Sequence, residues 1–71
     1  MQRPLKLDDV DREIIRQMAE LDMHTGKVAQ AMRYHKNSIR YRCEQIYRRT
    51  GLNPRSFYDL VELLNIIGGW K

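Results

Sequence analysis

Residues 35–41 read His-Lys-Asn-Ser-Ile-Arg-Tyr, so an imidazole, an ammonium, a carboxamide, a guanidinium and a phenol fall within seven residues. These groups suit hydrogen bonding to base edges. Arg or Lys pairs with guanine, Asn makes a bidentate pair with adenine, and Tyr stacks or bonds to phosphate. His35, Lys36, Asn37, Arg40 and Tyr41 are therefore the candidates for base contact. Thr25, Lys27, Arg33, Arg48 and Arg49 lie around them, a hydroxyl and four cations placed to meet phosphates. The amides at the start of the second helix add donors for the same purpose.

Other chemistry finds less support. No nucleophile has an obvious base partner, no glycine-rich phosphate loop occurs, and the carboxylates gather in the first segment without a pocket, so no enzyme is expected. His24, His35 and Cys43 fail as a zinc set in both number and spacing, and no metal or cofactor is expected. A lone cysteine on a core face is usually a small hydrophobe rather than a redox or metal thiol. Arg42 has a bland role open to it, an ion pair with Glu20 or Asp22 of the first helix. Arg48 and Arg49 also have one, as cations that suit a helix end.

The elements that must position these groups follow from apolar period and punctuation. Residues 1–7 read as a flexible lead around Pro4. A first helix starts at Asp8 or Asp9 and ends near Leu21 or Asp22, with Val10, Ile14, Met18 and Leu21 on one face and Ile15 at its edge. Asp9 with Arg12 three residues later makes no capping box. His24 or Thr25 caps a second helix over about 27–32, which buries Val28, Ala29 and Met32. Ala29 is small where two helices approach most closely. Arg33 and Tyr34 form the turn without a glycine, so Arg33 takes the turn conformation at some cost if its φ is positive. The ring of Tyr34 is expected to pack inward while its hydroxyl reaches solvent or phosphate.

A third helix over about 36–49 puts Ile39, Cys43 and Ile46 on one face and stops at Gly51. Asn53-Pro54 forms a turn. Ser56, with Asp59 three residues on, approaches a capping box for a fourth helix. Phe57, Leu60, Val61, Leu63, Leu64 and Ile67 form its apolar arc, with Ile66 off the arc. Gly68-Gly69 ends it and 68–71 is a tail. The expectation is one all-α domain over 8–67: four helices, a helix-turn-helix and no wing.

Composition bounds what this domain can be. A chain of 71 residues is a single small domain, burying only roughly 60 % of its unfolded surface. A single cysteine suits a reducing compartment, the N-terminal residues lack the apolar segment of a signal peptide, and no run approaches the ~20 apolar residues of a membrane span, so a cytoplasmic location is expected. The net charge of +4 is unevenly distributed: residues 1–23 carry −2, residues 52–71 carry none, and residues 24–51 carry +6, with Glu44 their only acid. A solvated face would explain scattered cations. Concentration in one segment beside an acidic one points instead to a polyanion.

Ala29-x-Ala31-Met32-x-Tyr34-His35-Lys36-Asn37-Ser38-Ile39-Arg40-Tyr41-Arg42, followed by Ile46 and Thr50-Gly51-Leu52-Asn53-Pro54, resembles the C-terminal helix-turn-helix domain of the purine-catabolism and carbohydrate-diacid regulators, the PucR/CdaR family. That family shows an H-R-N-T-L-R-Y-R-L run and a T-G-L-D-P turn, and the resemblance covers about 7–67. The Fis-type helix-turn-helix is similar more loosely. Cys43 stands where the family has leucine and Ser38 where it has threonine, while Gly26-Lys27 replace small polar residues. The resemblance implies a domain of a bacterial transcription regulator that binds DNA, usually within a dimer. Family members carry it behind long sensory regions, so the chain is either an excised domain or a stand-alone regulator, and effector sensing does not carry over.

The expected function is sequence-specific binding of double-stranded DNA, with the third helix in the major groove. The alternatives are a helical interaction module that holds an acidic protein partner and, more weakly, an RNA binder. Ile66 and Trp70 suggest a patch for a homodimer, with recognition helices roughly 34 Å apart; the bland reading has them covering the underside of the first helix. No small-molecule site is evident.

Overall fold

The computed structural model describes residues 7–68, which form four helices: α1 (Asp9–Glu20), α2 (Thr25–Met32), α3 (Lys36–Thr50) and α4 (Phe57–Ile67). No strand occurs among the described residues. α2 packs most extensively on α3, and α1 is the helix that touches each of the other three. α1 is thus the hub on which the α2–α3 pair and α4 are assembled.

The hub is apolar along one side and charged at its start. Ile14, Ile15 and Met18 are fully buried, so Ile15 is central to the core rather than at its edge. Leu7, expected in the lead, is buried with them at 7 % exposure. The cap is Asp8, and it makes the capping box that a start at Asp9 would not. The Asp11 amide donates to Asp8 Oδ1 at 2.8 Å, and the Asp8 amide to Asp11 Oδ2 at 3.4 Å. Two orphan amides are satisfied reciprocally, and the acids of the first turn complement the helix dipole. α1 ends with Asp22 and Met23 both at positive φ, 55° and 61°, and the Met23 amide reaching back to the Met18 carbonyl at 2.6 Å.

α2 begins at Thr25, two residues before the expected 27, because His24 caps it. His24 Nδ1 accepts the Lys27 amide at 3.2 Å. Val28 and Ala29 are buried, whereas Met32 is only half-buried. Ala29 fits the close approach to α3 for want of a larger side chain.

The α3–α4 connection is built from its own polar atoms. Gly51 closes α3 at φ 79° and donates to the Tyr47 carbonyl at 2.7 Å. Thr50 Oγ1 donates to the Ile46 carbonyl at 2.8 Å and accepts the Leu52 amide at 3.0 Å. Asn53 Oδ1 accepts the Arg55 amide at 2.9 Å, and Pro54 is buried. Ser56 is the N-cap of α4 but makes no side-chain cap bond, so the expected capping box does not form. Asp59 instead accepts the Asn53 amide at 3.0 Å, tying the helix to the turn that precedes it.

α4 buries Leu60, Leu63 and Leu64, but Phe57 is 58 % exposed, its ring edge-on to Tyr58 at 5.4 Å, and leaves the expected apolar arc. Phe57 opens the helix outside the core, and burial begins with Leu60. Ile66 is 47 % exposed between exposed Glu62 and Asn65 on one side and Gly68 on the other. Trp70, the other half of the expected dimer patch, lies outside the described residues, as do residues 1–6 and the rest of 69–71. A lone aliphatic side chain among polar ones gives a homodimer no support.

Candidate nucleic-acid interface

The helix-turn-helix is α2, the turn at Arg33–Tyr34, and α3. Arg33 adopts the left-handed conformation, φ 61° and ψ 40°, at the position usually given to glycine. Its amide donates to the Gln30 carbonyl at 3.2 Å, and the Tyr34 amide to the Ala29 carbonyl at 2.8 Å. This pair of bonds is a Schellman closure, which satisfies the last carbonyls of α2 and turns the chain sharply into α3. A non-glycine residue there costs about 1–2 kcal/mol. Tyr34 follows the turn with 41 % of its surface exposed, partly covered and partly open to solvent.

α3 divides into faces. Ile39, Cys43 and Ile46 are buried against the core. Burial pushes the Cys43 thiol up to about 11, partly offset by the Arg55 guanidinium, so the thiol stays protonated and unreactive. On the outer side His35, Lys36, Asn37, Arg40 and Tyr41 are all exposed. Asn37 and Tyr41 share an open concavity of about 410 Å³ with Tyr34, Ser38 and Arg42. His35 is the N-cap of α3 without a side-chain cap bond, so the first amides of α3 face solvent at the positive end of its dipole.

The cations separate into engaged and unengaged groups. Arg42 Nη1 lies 3.2 Å from Asp8 Oδ2 and 3.2 Å from Asp11 Oδ1, and Arg49 Nη1 lies 3.3 Å from Asp11 Oδ2. The partners of Arg42 are thus at the start of α1, not Glu20 or Asp22 at its end. The Asp8 carboxyl is held below its ordinary range chiefly by the hydrogen bond from the Asp11 amide; desolvation opposes this, and the Arg42 and Arg49 guanidiniums add to the lowering. Asp11 is 1 % exposed, a buried charge whose oxygens are all satisfied. Arg48 pairs with Glu44 at 3.5 Å across one turn of α3, largely in solvent and therefore weakly. Lys27, Arg33, Lys36, Arg40 and Arg55 make no ion pair among the described residues. Thr25 is half-buried at the start of α2.

Asp8 and Asp11 are absent from the expected site, though a signal for them exists. Asp8-x-x-Asp11 is a capping-box spacing, and Arg42 and Arg49 stand seven residues apart, on one face of α3. Arg55 is absent too, having no cationic neighbour in sequence to draw notice.

A model of the PucR C-terminal helix-turn-helix domain matches residues 12–65, from the second turn of α1 to the last turn of α4. The chain belongs to that family. The family resemblance carried by the His35–Arg42 run and the Thr50–Pro54 turn is thereby established, as is the all-α architecture. No curated protein and no solved structure matches the chain in the corresponding comparisons. A PucR-type helix-turn-helix points to a DNA-binding regulator, a class that is not typically enzymatic. No helix among the described residues is long and apolar enough to cross a membrane. The match begins after Asp8 and Asp11, so the PucR-type core starts just beyond the two carboxylates that hold Arg42 and Arg49.

Proposed function

We propose that this PucR-type domain binds double-stranded DNA with sequence preference, as the DNA-reading part of a bacterial transcription regulator in the cytoplasm. The observation that carries the reading is the outer face of α3. It presents Lys36, Asn37, Arg40 and Tyr41 to solvent without ion-pair partners, while the cations toward α1 are neutralised within the fold. In a helix-turn-helix the start of the second helix of the motif meets base edges and the first helix crosses the backbone. Asn37 and Arg40 then read bases, with His35, Lys36 and Tyr41 beside them. Lys27, Arg33 and Arg48 bind phosphates, with Thr25 and the amides of α2 supporting them. Arg49 is committed to Asp11 and acts mainly in the fold.

Selection of bound sites from a random duplex pool, followed by salt titration on the selected site, tests the reading. The expected outcome is a defined motif, and a log K that falls with log salt at about −0.9 per phosphate neutralised. Asn37→Ala should relax preference at one base position, by about 1–3 kcal/mol. Lys27→Ala should weaken every duplex alike. Enrichment of no motif, together with affinity insensitive to salt, would favour an acidic protein partner instead.

A further inference from the structure

The two flanks of α3 differ electrically. Toward α1, Arg42 and Arg49 face Asp8 and Asp11, and the four charges cancel. Toward the α3–α4 turn, a concavity of about 230 Å³ is lined by Arg40, Cys43, Glu44, Tyr47, Asn53 and Arg55. The one carboxylate there, Glu44, is drawn to Arg48 at 3.5 Å. Arg40 and Arg55 are exposed and have no side-chain partner among the described residues. Tyr47 is 50 % exposed.

Arg55 is also held at a fixed place. Its amide is bound by Asn53 Oδ1 at 2.9 Å, the Asn53 amide by Asp59 at 3.0 Å, and Pro54 between them is buried. A cation with a free side chain on an anchored backbone loses little freedom when it binds an anion. A helix in the major groove has a phosphate backbone on each side, and of the flank toward α1 and the flank toward the α3–α4 turn, only the latter offers a cation without an ion pair among the described residues.

We infer that Arg55 binds a backbone phosphate of duplex DNA in this concavity, with the Tyr47 hydroxyl as second donor, so that α3 enters the groove turned toward the α3–α4 turn and away from α1. This rests on the DNA-binding reading above. Arg40, on the other rim of the concavity, remains directed to bases.

The test compares wild type, Arg55→Gln, Arg55→Lys and Arg16→Gln on a fluorescein-labelled duplex pool of mixed sequence and on the selected site, across a salt series. Arg55→Gln is expected to flatten the slope of log K against log salt by about 0.9, hence to weaken binding roughly tenfold near 0.1 M salt. Both DNAs should be affected equally. Arg55→Lys should restore most of the slope, and Arg16→Gln, on the outer side of α1, should leave it unchanged. The Arg55 side chain makes no hydrogen bond or ion pair among the described residues, so thermal melts of the variants should match, which separates a binding loss from an unfolding one. A wild-type slope in Arg55→Gln overturns the inference while leaving the groove assignment of α3 intact, and so does a loss confined to the selected site. Failure of wild type to bind any duplex brings down the groove assignment and this inference with it.

Discussion

At the scale of single residues, Asp11 is the side chain whose environment sets it apart. It is buried, yet it carries a charge that two arginines and the Asp8 amide satisfy from different directions. Removing one member of a fully buried pair usually costs about 3–5 kcal/mol. Here the arginines keep 36 % and 45 % of their side-chain surface exposed, which screens the loss. Asp11→Ala should therefore destabilise the domain by roughly 1–3 kcal/mol, read as a lower urea midpoint by far-UV circular dichroism. An unchanged midpoint would show the network to be solvated and without consequence. The spacing Asp8-x-x-Asp11 marks Asp11 as a capping-box partner, but nothing local shows that it is buried against Arg42 and Arg49.

At the scale of elements, the turn between α2 and α3 bears a conformational penalty, as does the α1–α2 turn at Asp22 and Met23. Arg33 lies at φ 61° where glycine would be unstrained. Arg33→Gly relieves the left-handed strain but adds freedom to the unfolded chain, worth about 0.4–1 kcal/mol in the other direction. The net effect on stability should be small and favourable, below about 1 kcal/mol, while DNA affinity falls because a free cation is lost. Calorimetric melting and a binding titration on the same sample check both halves. A large fall in melting temperature would mean that the arginine side chain braces the turn. The caps Asp8, His24 and Ser56 were among those expected, but their bonding was not: α2 starts two residues earlier than expected, and Asp59 serves the preceding turn instead of its own cap, since a polar side chain takes whichever amide the fold brings near.

At the scale of the whole molecule, stability against pH sums these environments. The Asp8 carboxyl sits below its ordinary 3.8 in the folded state, so its contribution is complete above that value and is lost as pH falls through the folded pKa. The advantage of wild type over Asp8→Asn should accordingly shrink below about pH 4. Cys43 behaves oppositely. Its thiol is pushed up from 9.0 to about 11, so the unfolded chain loses the proton first and stability declines between those values as pH rises. The advantage of wild type over Cys43→Ala should narrow over that alkaline range. Urea midpoints of the three proteins across pH supply the comparison, and parallel curves would place either group in an environment like water.

The sequence by itself determined the four helices and most of the core face of each, with Ile15, Met32 and Phe57 the exceptions, because apolar period and Gly51 act within a few residues of one another. It also determined the outer face of α3, since excluding Ile39, Cys43 and Ile46 leaves Asn37 and Tyr41 outward on any straight helix. Only the tertiary structure decided which cations remain available. Arg42 and Asp11 are 31 residues apart in the chain and meet because α1 crosses α3 at that point. Ion pairing depends on distances between elements, which a helical period does not encode. For the same physical reason Arg55, an isolated cation in sequence, becomes the uncancelled charge beside α3 only when the turn after Gly51 is folded.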